Sequence, residues 1–255
     1  MTPPNRRWWA TPLAIFLWWI GALWMVPMML SMMVLSAVLG ARRIEPISRL
    51  YCRGQIWLTG SRYKAVVHPD VDLATSFLFA QNHTNIFDHV VLYPATPHFK
   101  QGLELAEHFK IPVYGWFMKA RGTIPVKKGS AGQTPEILAH MRSEIAKNGS
   151  ILAFPEGHRT LDGCIRPLRK GVFFIARDLG LPVVPVTVCG MWAVQRKGDW
   201  RIHPGWTVTV YCDEPIPTEG LEDDDIPALA AKVQAVMEDR VNAWAAEHGL
   251  PLHSS

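Results

Sequence analysis

Cysteine is scarce and scattered. The 255-residue chain holds four, Cys52, Cys164, Cys189 and Cys212, with no C-x-x-C pair. That excludes a disulfide framework and argues against a thiolate zinc centre or a thioredoxin-like redox site. They read as reduced, buried thiols in a cytosol-facing domain. No His, Cys and carboxylate cluster has ligand spacing, so no metal is expected. An excess of one charge is lacking too: 26 Lys and Arg against 22 Asp and Glu leave a net charge of +4. That is too mild for a nucleic-acid footprint, so no nucleic-acid partner is expected, but it suits an anionic membrane surface or a phosphorylated substrate. Missing as well are G-x-S-x-G, the Walker P-loop, G-x-G-x-x-G and H-E-x-x-H, which makes hydrolysis by a serine triad improbable.

What is present is apolar. Hydrophobic residues make up 49% of the chain and charged ones 19%, which rules out a disordered chain and leaves room for one folded unit of about 200 residues with an appendage. The appendage is N-terminal. Between Arg7 and Arg42 there is no charged side chain, and the stretch contains Trp8, Trp9, Trp18, Trp19, Trp24 and five methionines. A single membrane span needs roughly 20 residues; this run is longer and carries Gly21 and Pro27 near its middle, so two short helices joined by a bend also fit. Arg6 and Arg7 precede it, and Arg42, Arg43, Arg49 and Arg53 follow it. With both flanks basic, a shallow hairpin in one leaflet satisfies the positive-inside rule better than one crossing, and the hairpin is the expectation. A secretory signal is the poorer reading, because the run exceeds an h-region and no A-x-A site follows. Residues 1–50 are therefore assigned to a membrane-associating helical segment and 51–255 to a soluble domain.

In that domain short β-rich runs alternate with helical periods. Strands are expected at Ser76 to Ala80, Thr123 to Val126, Ile151 to Phe154, Val183 to Val188 and Thr207 to Tyr211. Thr134 and Pro135 open a helix that Asn148-Gly149 closes, a second runs from Lys170 to Gly180, and a third from about Pro227 to His248. The alternation predicts an α/β fold with a mostly parallel central sheet flanked by helices.

Two segments carry candidate chemistry. N-H-T-N-I-F-D, Asn82 to Asp88, follows the first of these strands. On a continuous helix His83 and Asp88 would point about 140° apart. If the chain bends, with Thr84 or Asn85 capping a helix from about Ile86, Asp88 faces back toward His83. It would then fix the imidazole tautomer and leave the other nitrogen as a general base. A histidine that merely hydrogen-bonds a helix start is the alternative, and His158 with Asp162 is a rival pair weakened by the turn between them. F-P-E-G-H-R-T, Phe154 to Thr160, stands where the Ile151 strand ends. Pro155 stops the ladder, Gly157 permits a tight turn, and Glu156 and Arg159 are left at a carboxyl edge, where open α/β sheets bind ligands. Arg159 can clamp a phosphate or carboxylate, or it can form an ordinary surface ion pair with Glu156. Lys119, Arg121, Lys127 and Lys128 surround the strand from Gly122, as phosphate ligands, a solvated strand end or a membrane-facing patch.

In order and spacing these segments resemble the glycerolipid acyltransferase family, typified by bacterial 1-acylglycerol-3-phosphate acyltransferases. The family pattern is N-H-x-x-x-x-D, a G-x-I-P-V-like strand ending in a basic residue, F-P-E-G-x-R and a V-x-P-V strand. Here these are Asn82 to Asp88, Gly122 to Lys128, Phe154 to Arg159 and Val183 to Val186. The resemblance implies a membrane-associated O-acyltransferase at the cytosolic face of the cytoplasmic membrane. It would move a fatty acyl group from acyl-CoA or acyl carrier protein, as co-substrate and without a cofactor, to the free hydroxyl of a lysophospholipid, first of all 1-acylglycerol 3-phosphate, giving phosphatidic acid. His83 becomes the base and Asp88 its orienter, with Glu156, Gly157, Arg159, Thr160 and Lys128 binding substrate. Asn85 stands where the family often has serine, His158 is a milder variation, and Lys128 replaces a frequent arginine, keeping charge but losing the fork. Glycerol 3-phosphate or a lyso-aminolipid remain alternative acceptors, and a non-catalytic lipid-binding membrane protein the alternative class.

Overall fold

The computed structural model describes residues 10–127 and 135–250. Two helices, α1 (Ala10–Leu39) and α2 (Glu45–Leu58), precede strands β1 (Arg62–Val67) and β2 (Leu78–Gln81), helix α3 (Asp88–Val91) and strand β3 (Lys100–Leu105). Next come α4 (Tyr114–Arg121), β4 (Ile124–Val126), α5 (Pro135–Ile145) and β5 (Ser150–Ala153). The chain continues through α6 (Gly171–Asp178), β6 (Val183–Cys189), α7 (Met191–Val194), β7 (Thr207–Cys212) and α8 (Ile226–Glu247). The strands form one sheet in the order β1-β7-β6-β2-β5-β3-β4. Every pairing is parallel except β6 with β7, so the α/β expectation holds.

Two strands carry no hydrophobic signature in the sequence. β1 lies at the sheet edge and is almost wholly exposed. β3 reads Lys-Gln-Gly-Leu-Glu-Leu, yet Lys100 and Gln101 are buried, and the Gln101 amide donates to the Arg121 carbonyl at 2.9 Å. The Lys100 ammonium donates to the Thr96 and His98 carbonyls at 2.9 Å each, and burial lowers its pKa to about 8.

The N-terminal segment differs from the expected hairpin. α1 runs unbroken through Gly21 and Pro27, and the chain turns later. Gly40, at φ +85°, takes the left-handed conformation that ends a helix, and Pro46 sits in the first turn of α2. The assigned boundary at residue 50 falls inside α2. Gly54 has a packing role instead: a Cβ there would lie 2.5 Å from the Trp24 ring. One side of α1 is buried from Ala14 to Ser36, and Leu17, Met29 and Met32 share a core with Phe79, Phe87, Val90 and Phe117. Trp18 stacks on Phe87 at 5.7 Å between ring centroids and donates to the Trp200 carbonyl at 2.8 Å. The outer side, with Phe16, Trp19, Leu23, Leu30, Val34 and Val38, is exposed and apolar.

Candidate active site

Strand register brings the two signature segments together. Ala80 pairs with Ala153 across parallel β2 and β5, so His83 and Glu156, each three residues further on, leave the same edge side by side. Buried Asn82 fastens this end of β2 to β6, donating to the Val188 carbonyl at 3.1 Å and accepting from the Val188 N–H at 2.8 Å.

Beyond Asn82 the chain bends, and His83 Nδ1 lies 2.8 Å from Asp88 Oδ2. The bend is capped differently from the expectation. α3 starts at Asp88, with no side-chain cap on its first N–H groups. Instead the Asp88 carboxylate reaches back to accept from the Thr84 N–H and hydroxyl and from the Asn85 N–H at 2.9 Å. Asn85 steadies the turn, accepting from the Phe87 N–H and donating to the Met191 carbonyl, both at 2.7 Å. Since Oδ2 already faces obligate N–H donors, it acts as acceptor toward the ring, which puts the proton on Nδ1 and leaves Nε2 unprotonated in neutral His83. Asp88 is 1% exposed and His83 26%. The imidazole stacks on Phe154 at 4.5 Å, and its Nε2 has no protein partner among the described residues. A pinned imidazole with one open nitrogen is equipped to take a proton from a substrate hydroxyl.

Glu156 sits against backbone. Oε1 accepts from the His83 N–H at 2.6 Å and Oε2 from the Arg166 N–H at 2.9 Å. Burial pushes its carboxyl up to about 7, against the opposing pull of those two N–H donors. Thr160 is also buried; its N–H donates to the His83 carbonyl at 2.8 Å, while its hydroxyl donates to Asp162 and accepts from the Gly163 N–H. Both residues therefore hold the His83 loop. Gly157 takes φ +71°, and a Cβ there would meet the Arg169 guanidinium at 2.6 Å. Arg159 is half-buried, its side chain makes no hydrogen bond or ion pair among the described residues, and Lys197 donates to its carbonyl at 3.3 Å. Lys128 and Thr134 lie outside the described residues.

Of the rival pair, Asp162 is committed to its own turn, where it bonds Thr160 and the Cys164 N–H. Nor is Arg121 available to a ligand at this edge. It is buried, donating to Glu45 at 2.8 Å and Ser48 at 3.1 Å, which ties α4 to α2. Sequence reasoning missed the structural work of Asn82, Thr84 and Phe154; the N-H-T-N run itself, rich in side chains that bond turns, was the available signal. An apolar pocket extends below Phe154, lined by Met29, Tyr51, Val90, Tyr93, Phe117 and Met118. Among the described residues no group of His, Cys and carboxylates is placed to hold a metal.

The fold and site define a class: a parallel α/β domain with an aspartate-oriented histidine at the carboxyl edge of its central strands, above an apolar pocket. Residues 64–189 match the Acyltransferase family. It is 32% identical over 142 residues to a chloroplastic 1-acyl-sn-glycerol-3-phosphate acyltransferase of Brassica napus, covering 56% of this chain and 41% of that one. It is 25% identical over 193 residues to the human beta enzyme of the same name, covering 74% and 69%. The chain thus spans about two fifths of the length of the plant relative. In fold it is similar to the crystal structure of the 1-acyl-sn-glycerophosphate acyltransferase PlsC from Thermotoga maritima, with a TM-score of 0.78 and 18% identity over 94% of this chain and 97% of that one.

Proposed function

We propose that this chain moves a fatty acyl group from an acyl thioester, on coenzyme A or acyl carrier protein, to the free hydroxyl of 1-acylglycerol 3-phosphate, giving phosphatidic acid. The observation that carries the reading is the 2.8 Å His83 to Asp88 contact with Nε2 left open. Nε2 takes the hydroxyl proton as the oxygen attacks the thioester carbonyl. The C–O bond forms, the C–S bond breaks, and the departing thiolate recovers the proton from His83. A thioester has a good leaving group, so one positioned base suffices without a covalent intermediate. Arg159, whose side chain has no partner among the described residues, supports phosphate recognition, joined by Lys197 beside it and by Lys128 from the sequence. The pocket below Phe154 suits an acyl chain. The names of the relatives point to the same acceptor.

The domain works at a membrane surface. α1 is long and apolar enough to cross a bilayer, but its inner side is pressed on the domain from Ala14 to Ser36. A helix held alongside its domain over that length lies in one leaflet, its exposed stripe among the acyl chains, on the cytosolic side of the cytoplasmic membrane.

The test is transfer by detergent-solubilised protein from a long-chain acyl thioester to lysophosphatidic acid, glycerol 3-phosphate and a lyso-aminolipid. Product with lysophosphatidic acid alone supports the reading. Product only with a lyso-aminolipid moves the assignment to that acceptor, and no product with any acceptor overturns acyl transfer.

A further inference from the structure

A second cavity lies away from the catalytic edge. A cleft of about 590 Å³ opens between the α1–α2 turn, the end of α4 and the turn before β5, with Arg42, Arg43, Lys119, Lys147 and Glu144 in its wall. Phe99 and Gln101 in that wall mark the amino ends of the parallel strands, opposite the edge that carries His83. Along α1, Trp18 stands at the catalytic edge and Leu39 at the cleft, about 30 Å apart at the rise of an α-helix.

The cations here are of two kinds. Arg42 donates to the Glu144 carboxylate at 2.9 Å and to its carbonyl at 3.2 Å, and Lys147 donates to the other carboxylate oxygen at 3.1 Å. Those two complete a structural cluster around Glu144. The Arg43 and Lys119 side chains are exposed and have no carboxylate or hydrogen-bond partner among the described residues. Helix C-termini draw cations, and Lys119 lies in the last turn of α4; but that field fades within one turn, and Arg43 lies beyond the end of α1. The cleft therefore holds positive charge that the fold leaves uncompensated. On one side Leu39 lines it and continues the exposed apolar stripe of Leu30, Val34 and Val38.

We propose that this cleft binds the head group of an anionic phospholipid, with Arg43 and Lys119 facing the phosphate and the acyl chains lying along the outer stripe of α1. A free phosphate ion uses the cations and leaves the stripe idle; an acidic protein segment does the same. Only a lipid has both parts. Such a site would set the tilt of the domain on the leaflet, with one contact at each end of α1.

The test is flotation of the full chain with vesicles of phosphatidylcholine alone and with about one fifth phosphatidylglycerol. Each Lys or Arg near an anionic surface is worth about 1 kcal/mol, roughly fivefold in affinity. The Arg43→Gln/Lys119→Gln protein is expected to lose on the order of twentyfold in affinity for the anionic vesicles and nothing for the neutral ones. The charge-matched Lys64→Gln/Lys232→Gln protein, altered at exposed positions outside the cleft, is expected to keep most of the preference. Equal losses in the two variants, or no anionic preference in the wild type, overturn the site. A titration of the solubilised protein with inorganic phosphate separates the other source: saturable binding lost in the cleft variant, with vesicle preference intact, replaces the lipid with a free anion. Neither readout uses acyl transfer, so failure here leaves the proposed activity standing.

Discussion

Oε1 of Glu156 accepts a 2.6 Å hydrogen bond from the backbone N–H of His83, 73 residues earlier in the chain. The other carboxylate oxygen holds the Arg166 N–H. Glu156 thus fixes the loop that bears His83. A glutamine there can accept at only one of the two N–H groups and leaves the other buried and unpaired, which costs about 1–3 kcal/mol. Glu156→Gln is expected to lower kcat at least tenfold while KM for the acceptor stays within about twofold. A raised KM with unchanged kcat would show that Glu156 touches the acceptor instead.

The same carboxyl gives a pH dependence. Burial raises its pKa from 4.5 to about 7 in the folded chain, so the folded state keeps this proton to higher pH than the unfolded state. Its contribution to stability is complete below about 4.5 and is lost as pH rises through about 7. The Tm advantage of wild type over Glu156→Gln should therefore shrink from pH 4.5 to 7, measured by thermal unfolding at fixed ionic strength. An advantage that grows over this interval contradicts the assignment.

Arg121 and Glu45 test how α2 is held to the domain. The pair is buried at 2.8 Å, and removing one partner strands a charge. Arg121→Met is expected to cost about 3–5 kcal/mol of stability, and Glu45→Leu/Arg121→Met to recover most of it. Denaturant unfolding of both proteins measures this; equal destabilisation in the two would show that the pair contributes more than charge balance.

Much of the candidate site was legible in the sequence, because histidine, aspartate, glutamate and arginine beside strand ends are what the proposed chemistry needs. Their mutual placement was not. It depends on the Ala80 to Ala153 register, a long-range pairing that no local pattern records, and the bend could be read only as a requirement. β1 and β3 escaped notice for opposite reasons: one is exposed and the other buries a lysine whose ammonium is paired. The turn between the first two helices was misplaced because Gly21 and Pro27 are conspicuous, whereas Gly40 with Pro46 does the turning. The hydrogen bonds of Glu156 were invisible because its partners are backbone N–H groups.

The proposed membrane attachment through α1 predicts its own outcome. Phe16, Trp19 and Leu23 are more than half exposed, and burying a large apolar side chain is worth about 1.5–3 kcal/mol. Replacing all three with Ser should weaken binding to neutral vesicles by at least about a hundredfold and leave thermal stability in detergent nearly unchanged. Undiminished vesicle binding would place the attachment elsewhere.

The central claim is that His83 is the base. The most direct measurement is the initial rate of acyl transfer from a long-chain acyl thioester to lysophosphatidic acid by wild type and His83→Ala. Thermal unfolding and vesicle flotation of both proteins show that fold and membrane attachment survive. General-base catalysis by a positioned side chain contributes about 10²–10⁴-fold, so the account predicts a loss in that range or greater. A His83→Ala protein within tenfold of the wild-type rate, folded and membrane-bound, would contradict it.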